Sequence, residues 1–266
     1  MDMKKVLAVS AAIIGTAAMA DGIVSSSVVG YVKRGTDVAA NKFTMVTMPF
    51  SGVGDDVISI QDVITPVGVT AVSDADSLTD GAQLQVWTGS TYKMYYYIND
   101  GFDDDNDNLT GWGDAGEIVQ TQYAPGTGFW FRYPKAAANY TLPGQVVDAD
   151  SVSKNVYKSK FNMVGNPYPT LLNLKKITTT APAVSDADSL SKGVQLQVWT
   201  GSTYKMYYYI NDGFDDDHDN LTGWADAGEI VGVVGLDVSY GFWVKCLDSG
   251  AEADASGKVG VITFTL

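Results

Sequence analysis

The chain has 266 residues and is strongly acidic, with 31 Asp and Glu against 17 Lys and Arg and a formal net charge of −14. A protein of this charge is repelled by phosphate backbones and by anionic membrane surfaces, so the composition argues against nucleic acid and anionic lipid as partners. Hydrophobic residues make up 45% of the chain, which is typical of a folded protein and excludes a disordered one.

The first twenty residues have the pattern of a secretory signal peptide. Lys4 and Lys5 form a short basic region, the apolar run Val6–Gly15 follows, and Ala18-Met19-Ala20 supplies a small-residue cleavage signal. The alternative is a membrane anchor, but the run is too short to cross a bilayer, and no later apolar run is long enough. We therefore expect an exported protein, located outside the cell or at the cell surface.

The mature chain contains a long internal repeat. Ser73–Val119 aligns with Ser185–Val231, 112 positions further on, and only five of the aligned positions differ. The similarity continues more weakly towards both ends of the chain. Removal of the signal peptide, which carries two lysines and one aspartate, takes the net charge from −14 to −15. The sequence therefore predicts a signal peptide (1–20) and two units, residues 21–150 and 151–266, each large enough for its own core.

Within each unit the pattern is that of strands. In Gly81–Ile98, "GAQLQVWTGSTYKMYYYI", apolar and polar residues alternate on either side of a Gly-containing turn, which predicts a β-hairpin. Ile58–Val63 and Leu171–Ile177 are each predicted to form one short helical turn. The predicted class is all-β, with two tandem β-sandwich or partly closed barrel units. The other predicted strands of unit 1 are Ile23–Lys33, Phe43–Met48, Glu117–Gln122, Phe129–Tyr133 and Tyr140–Leu142.

Three segments of unit 2 carry a family resemblance. They are "FNMVGNPYPT" (Phe161–Thr170), "VQLQVWTGSTYKMY" (Val194–Tyr207) and "YGFWVK" (Tyr240–Lys245). Together they resemble a pattern in bacterial exported and cell-surface β-repeat proteins, which has a turn of the type G-N-P-Y-P, a tryptophan hairpin and a G-F-W-V strand. The resemblance implies a secreted or surface β-module without catalytic activity. Unit 1 departs from the pattern at Thr47–Phe50, where "TMPF" replaces "GNPY".

Each unit also contains a dense acidic segment. "INDGFDDDNDNLTGWGDAGE" (Ile98–Glu117) returns almost unchanged as "INDGFDDDHDNLTGWADAGE" (Ile210–Glu229). Carboxylates at this density repel one another, so their retention in both copies predicts that a cation neutralises them. The alternative is a solvated acidic turn.

The spacing of the carboxylates matches a twelve-position calcium loop. Calcium takes 6–8 oxygen ligands, which alternate residues of a tight loop supply. Asn108 and Asn220 occupy the position usually held by Gly, and Asn is the next best residue for a left-handed backbone. We expect one Ca²⁺ in each repeat. The predicted ligands, at positions 1, 3, 5, 7 and 12, are Asp103, Asp105, Asp107, Leu109 through its carbonyl and Asp114 in unit 1, and Asp215, Asp217, Asp219, Leu221 and Asp226 in unit 2.

Residues suited to catalysis are scarce. The single histidine, His218, aligns with Asn106 in the other copy, and the single cysteine, Cys246, aligns with Tyr133. A general base or a nucleophile would not be expected at such interchangeable positions, so we predict that the protein is not an enzyme.

The leading hypothesis is a calcium-binding structural protein, a subunit of an extracellular filament, surface layer or matrix. Ile23–Lys33 and Gly257–Leu266 are candidate strands for exchange between neighbouring subunits. We expect the first to be left unpaired, because unit 2 has only a weak equivalent of it, "SVSKNVYKS". The alternative for each strand is that it completes its own unit. The alternative is a carbohydrate-binding module with polysaccharide as its partner, because aromatic side chains recur in both copies. These are Trp87, Tyr95, Tyr97, Trp112, Trp199, Tyr207, Tyr209 and Trp224.

Overall fold

A computed structural model describes residues 29–38, 41–67, 69–72, 80–99, 110–114, 117–135, 138–181, 183, 193–200, 202–211, 222–226, 229–231, 234–236, 241–246 and 252–266. The predicted all-β class is confirmed, because strands dominate these residues and helix is confined to two short turns. The two predicted helical turns are present as α1 (Ile60–Val63) and as a 3-10 helix (Leu174–Lys176).

The strand bounds are as follows. Unit 1 contains β1 (Val29–Val38), β2 (Thr44–Thr47), β3 (Phe50–Ser51), β4 (Ile58–Ser59), β5 (Thr65–Val67), β6 (Gln83–Trp87), β7 (Tyr92–Asn99), β8 (Thr110–Asp114), β9 (Glu117–Ile118), β10 (Gln122–Tyr123), β11 (Gly128–Arg132) and β12 (Ala138–Val146). Unit 2 contains β13 (Ser151–Tyr157), β14 (Phe161–Gly165), β15 (Leu172–Asn173), β16 (Ile177–Thr179), β17 (Val194–Trp199), β18 (Tyr204–Asn211), β19 (Thr222–Asp226), β20 (Glu229–Ile230), β21 (Gly235–Leu236), β22 (Gly241–Cys246) and β23 (Lys258–Thr265).

The hairpin predicted around Gly89 forms as β6 and β7. Trp87 lies opposite Tyr92 in the ladder. Across the turn, the N–H of Thr88 donates to the carbonyl of Thr91 at 2.9 Å. Gly89 has a φ of +98°, a left-handed conformation that a residue with a side chain rarely adopts. A glycine at this position therefore fixes the register of the hairpin on which the large sheet is built.

Each unit has a large sheet, a small sheet and a two-stranded sheet, which pairs β4 with β10 in unit 1 and β15 with β21 in unit 2. In unit 1 the large sheet has the strand order β2-β11-β6-β7-β8-β9, and the small one has β12 between β1 and β3, with β5 also paired to β12. In unit 2 the large sheet has the order β14-β22-β17-β18-β19-β20, and β23 lies between β13 and β16 in the small one. The strand order of the large sheet thus recurs in both units, while β3 has no counterpart in the small sheet of unit 2. The inward faces of the large and small sheets form one core in each unit.

A buried tryptophan sits at the same place in each core. Trp112 is 1% exposed, and its indole N–H donates to the carbonyl of Ile64 at 2.8 Å. In unit 2, Trp224 donates to the carbonyl of Ile177, also at 2.8 Å. These bonds satisfy the one polar atom of a large apolar side chain, so its full burial stabilises each core.

The terminal strands complete their own units. Residues 23–28 of the predicted first strand lie outside the described residues, and from Val29, opposite Gln145, to Arg34, opposite Tyr140, β1 pairs with β12. β13 occupies the corresponding edge of unit 2, where it pairs with β23. The expectation that the first strand is left unpaired is therefore wrong: "SVSKNVYKS" is its structural equivalent, although its apolar pattern is weaker. Likewise β23 is the central strand of its sheet and not a free end.

A third apolar cluster joins the two units, and we call it the junction cluster. It consists of buried Met45, Trp130, Met163 and Trp243, with half-buried Trp87, Phe161 and Trp199 packed against them. These side chains lie on the outward faces of the two large sheets. The two units therefore pack against each other through their large sheets and are not connected by a linker alone.

The junction has approximate two-fold symmetry. Trp87 meets Trp243 edge-on at 5.7 Å between ring centroids, and Trp199 meets Trp130 edge-on at 6.0 Å. In the sequence alignment Trp87 corresponds to Trp199 and Trp130 to Trp243, so these are the same contact seen from either unit. Such mutual contacts are characteristic of isologous interfaces, in which one patch meets its own copy.

Two equivalent glycines set how closely the sheets approach. A Cβ added at Gly128 would lie 2.8 Å from Cγ of Met163, and one added at Gly241 would lie 2.6 Å from Cγ of Met45 and 2.9 Å from the carbonyl of Val46. Neither distance is compatible with a side chain in the present packing. Close packing at the junction therefore depends on the absence of a side chain at both positions.

Replacing either glycine by alanine should loosen the junction. For Gly128→Ala and Gly241→Ala we expect a loss of about 1–3 kcal/mol in the free energy of unfolding, the usual cost of overpacking. The control is Gly223→Ala in β19, where the nearest atom would be 3.5 Å from the new Cβ. Urea denaturation of the three variants measures this difference. Equal stabilities for all three would contradict the role given to the two junction glycines.

Candidate functional site

The structure describes the ends of the acidic segments. β7 pairs with β8 and β18 with β19, and the last residues of these ladders are Asn99 opposite Thr110 and Asn211 opposite Thr222. Residues 100–109 and 212–221 thus connect neighbouring antiparallel strands in both units. Eight predicted ligands lie outside the described residues: Asp103, Asp105, Asp107, Leu109, Asp215, Asp217, Asp219 and Leu221.

The two remaining predicted ligands are held by lysines. A carboxylate oxygen of Asp114 lies 3.2 Å from Nζ of Lys93, and one of Asp226 lies 2.9 Å from Nζ of Lys205. The hydrogen bond to the partner carboxylate raises the pKa of each lysine above its usual value. Both pairs are exposed, so each stabilises the fold only weakly.

The position of Asp114 constrains the predicted calcium register. Asp114 is the last residue of β8 and Thr110 the first. Four steps along an extended strand span about 13 Å. For Asp114 to join ligands from residues 103–109, the acidic segment must fold back along the sheet. In the described part of the chain, no three His, Cys, Asp or Glu side chains lie close enough to hold a metal.

The aromatic residues predicted to form a carbohydrate platform are mostly internal. Tyr95, Trp112, Tyr207, Tyr209 and Trp224 are at most 9% exposed. Tyr97 packs against the core of unit 1, and Trp87 and Trp199 pack against the junction cluster. These eight side chains therefore do not form an exposed platform. On β7 and β18, Tyr95, Tyr207 and Tyr209 point into the cores.

Beside the junction cluster lies a cleft of about 480 Å³, which we call the junction cleft. One wall is the β6–β7 turn of unit 1, with the ring of Trp87 next to it. The other wall is built by β13, by β14 and by the short turn that joins them in unit 2. Its polar side chains are Thr88, Lys154, Asn155, Tyr157, Lys160, Asn162 and Ser256.

Lys154 is the most perturbed group of this cleft. Burial lowers its pKa from 10.5 to about 8, with no opposing contribution from a neighbouring carboxylate. Lys154 also lines an adjacent cleft of about 420 Å³ that contains Asp55, Asp56 and Asp148. No carboxylate of the described residues lies within ion-pair distance of its ammonium group. Lys154 is therefore a desolvated cation without a counter-ion among the described residues.

The sequence predictions did not include this lysine. A local signal was present, because Lys154, Lys158 and Lys160 fall within seven residues of a chain that has only 17 basic residues. It could not be interpreted from sequence because Trp87 and Thr88, on the opposite wall, belong to the other unit. Only the packing of the units brings these residues together.

No protein-family model, no curated protein and no solved structure matches this chain. The described residues include no helix that is long and apolar enough to span a membrane.

The desolvation of Lys154 predicts a specific pH dependence of stability. Below about pH 8 both the folded and the unfolded chain carry the proton, so the cost of the buried charge is fully present. Between about pH 8 and 10.5 only the unfolded chain keeps the proton, so the free energy of unfolding rises with pH. Relative to Lys154→Met, the wild type should gain on the order of 2 kcal/mol between about pH 7.5 and pH 10.

The measurement is urea denaturation of both proteins across this pH range. Subtracting the stability curve of the variant from that of the wild type cancels the contribution of other groups that titrate in this range. These include Tyr123 and Tyr168, because burial raises the pKa of both. Parallel stability curves would show that Lys154 is not desolvated in the folded protein.

Proposed function

We propose that this chain is a secreted, calcium-binding structural protein of the cell surface, a subunit of an extracellular filament, surface layer or matrix. The observation that carries the proposal is the arrangement of the acidic segments. Residues 100–109 and 212–221 each contain five aspartates and no lysine or arginine, and each connects two strands that are paired at its ends. Both copies therefore gather the same five carboxylates into a short connection of fixed end-to-end distance.

Such a segment needs a counter-charge. Lys93 and Lys205, the lysines of the neighbouring strands, are engaged by Asp114 and Asp226 at the far ends of β8 and β19. A divalent cation offsets several carboxylates at once, and calcium accepts the flexible geometry that a ten-residue loop provides. The only difference between the two segments is Asn106 against His218, at a position that holds no ligand in the predicted register.

The packing supports a structural role. Each unit has its own apolar core, and the junction cluster adds a third buried apolar cluster between the units. Cys246, the single cysteine, is buried in the core of unit 2 and has no second cysteine in the chain with which to form a disulfide. Rigidity therefore comes from sheet packing and, in this proposal, from calcium, which suits a load-bearing subunit outside the cell.

Calcium should stabilise the protein strongly. Binding to the folded state alone adds about 2.7 kcal/mol per site when calcium is at a hundredfold excess over Kd. For two sites in a protein of this size, thermal melts in millimolar calcium and in chelator should differ by about ten degrees or more. Magnesium at the same concentration is the control for ionic strength. Superimposable melting curves in calcium and chelator would overturn the calcium proposal.

Loop variants should remove one site at a time. Asp103→Asn with Asp107→Asn should reduce the calorimetric calcium stoichiometry by one and leave the site of the other unit intact. Asp114→Asn tests the closing ligand: in the predicted register it weakens calcium binding by about tenfold or more. The matched control, Lys93→Met, breaks the same ion pair but removes no oxygen. Unchanged affinity in Asp114→Asn would mean that Asp114 does not ligate calcium.

The assembly part of the proposal is tested on the mature protein. We expect ordered polymers in electron micrographs at high concentration with calcium, because calcium rigidifies each unit and lowers the entropic cost of docking. A protein that stays monomeric in sedimentation experiments under these conditions would instead favour the alternative, a secreted carbohydrate-binding module. The junction cleft is the feature that favours this alternative, since the predicted aromatic platform is buried.

A further inference from the structure

We propose that the junction cleft binds an acidic sugar, with the ligand carboxylate held between Lys154 and Lys160 and the sugar ring against Trp87. This site is separate from the acidic segments and goes beyond the structural role, because it needs neither calcium nor polymer formation. It also gives the two-unit arrangement a function that a single unit lacks.

The charge of the cleft selects for an anion. Two lysines line it, and none of the described residues that line it is acidic, although the protein as a whole has a net charge of −14. Asp254, close in sequence to Ser256, does not line the cleft, and its Oδ1 accepts hydrogen bonds from the N–H and hydroxyl of Ser256 at 2.8 and 2.6 Å and from the N–H of Lys258 at 3.0 Å. The cleft is therefore a local positive site on an acidic protein, which concentrates small anions.

An anionic ligand would stabilise the charged form of Lys154 more than that of any other group in the cleft. The Lys154 side chain is partly buried and its ammonium group has no counter-ion among the described residues, and this burial also lowers its pKa. A carboxylate placed beside it would supply the missing counter-charge and a charge-assisted hydrogen bond, which is stronger than one between neutral groups.

A second donor in the cleft is unsatisfied. The side-chain nitrogen of Asn162 is buried and has no hydrogen-bond acceptor in the described structure. Asn162 lines the same cleft as Lys154. Buried amide nitrogens nearly always have a partner, so this unsatisfied donor in the wall of the cleft is a second group that an acceptor from a ligand, such as a hydroxyl or carboxylate oxygen, would satisfy.

The other residues that line the cleft favour a sugar carrying a carboxylate over a small inorganic anion. The indole N–H of Trp87 donates to the carbonyl of Phe161 at 2.7 Å, so it is not available to a ligand and the ring contributes apolar surface. Asn155 donates to the hydroxyl of Tyr157 at 3.3 Å, and the ammonium group of Lys160 lies 5.8 Å from the centre of the Tyr157 ring. Apolar ring faces beside amides, hydroxyls and ammonium groups match a sugar with a carboxylate.

The size of the cleft agrees with this ligand. A cleft of about 480 Å³ lies within the usual range for small-molecule sites and has room for one or two sugar rings. It is open to solvent at the unit boundary, so a uronate within a longer polysaccharide has access as well as a free one.

The test is binding of trigalacturonate to the mature protein in chelator, followed by calorimetry and by tryptophan fluorescence. The fully methyl-esterified trisaccharide has the same rings without the charge, and inorganic phosphate is an anion without a ring. We expect one binding site per chain for trigalacturonate, at least tenfold weaker binding of the ester, and no effective competition by phosphate.

Variants locate the site. Lys154→Met and Lys160→Met should each weaken binding by about tenfold or more, since each removes a charge-assisted hydrogen bond. The control is Lys175→Met, an exposed lysine of the 3-10 helix that does not line the cleft. Equal binding of acid and ester, equal competition by phosphate, or wild-type affinity in both cleft variants would each overturn the proposal. Since all measurements are made in chelator, these outcomes leave the calcium proposal untouched.

Discussion

The architecture depends on the contact between the outward faces of the two large sheets. In most two-layer β-proteins one face of a sheet packs on the core and the other meets water. Here Met45, Trp130, Met163 and Trp243 make part of the second face apolar as well, and each is less than one-tenth exposed. Burial of each such side chain contributes about 1.5–3 kcal/mol, and the edge-on tryptophan pairs add to it. Without this contact the two units would not pack against each other, and the junction cleft between them would not form.

The two-fold symmetry of the junction explains why a few residues are enough to hold the two units together. Because the patch meets its own copy, one favourable arrangement, a tryptophan edge over a tryptophan face, is used twice. The same holds for Gly128 and Gly241, each of which allows a methionine of the opposite unit to approach. A single-unit ancestor with this patch would pair with itself, and a tandem arrangement makes that pairing intramolecular and independent of concentration.

The charges of the molecule are divided between two environments. The aspartates of residues 100–109 and 212–221 are concentrated in segments that connect neighbouring strands. Lys154 is instead placed in a cleft between units, where burial removes water and no described carboxylate compensates. The proposed calcium sites and the proposed acidic-sugar site rest on the same electrostatic reasoning, in which a ligand of opposite sign compensates each environment.

The sequence by itself determined the all-β class, the hairpin and the repeat, because these follow from residue patterns along the chain. It did not separate β9 from β10, which the prediction joined as Glu117–Gln122 although they belong to different sheets. Alternation of apolar and polar residues gives strands, Gly89 gives the turn, and the short capped segment at Ser59 gives α1. The sequence also contains the acidic segments, and the calcium ligands proposed within them remain a prediction.

Only the tertiary structure decided which residues pack against each face of a sheet. The pattern "LQVW" does not show that Trp87 meets Trp243 of the other unit, and the weak pattern of "SVSKNVYKS" concealed that β13 corresponds to β1. These contacts join residues far apart in the chain, and their energy depends on shape and burial that no single segment contains.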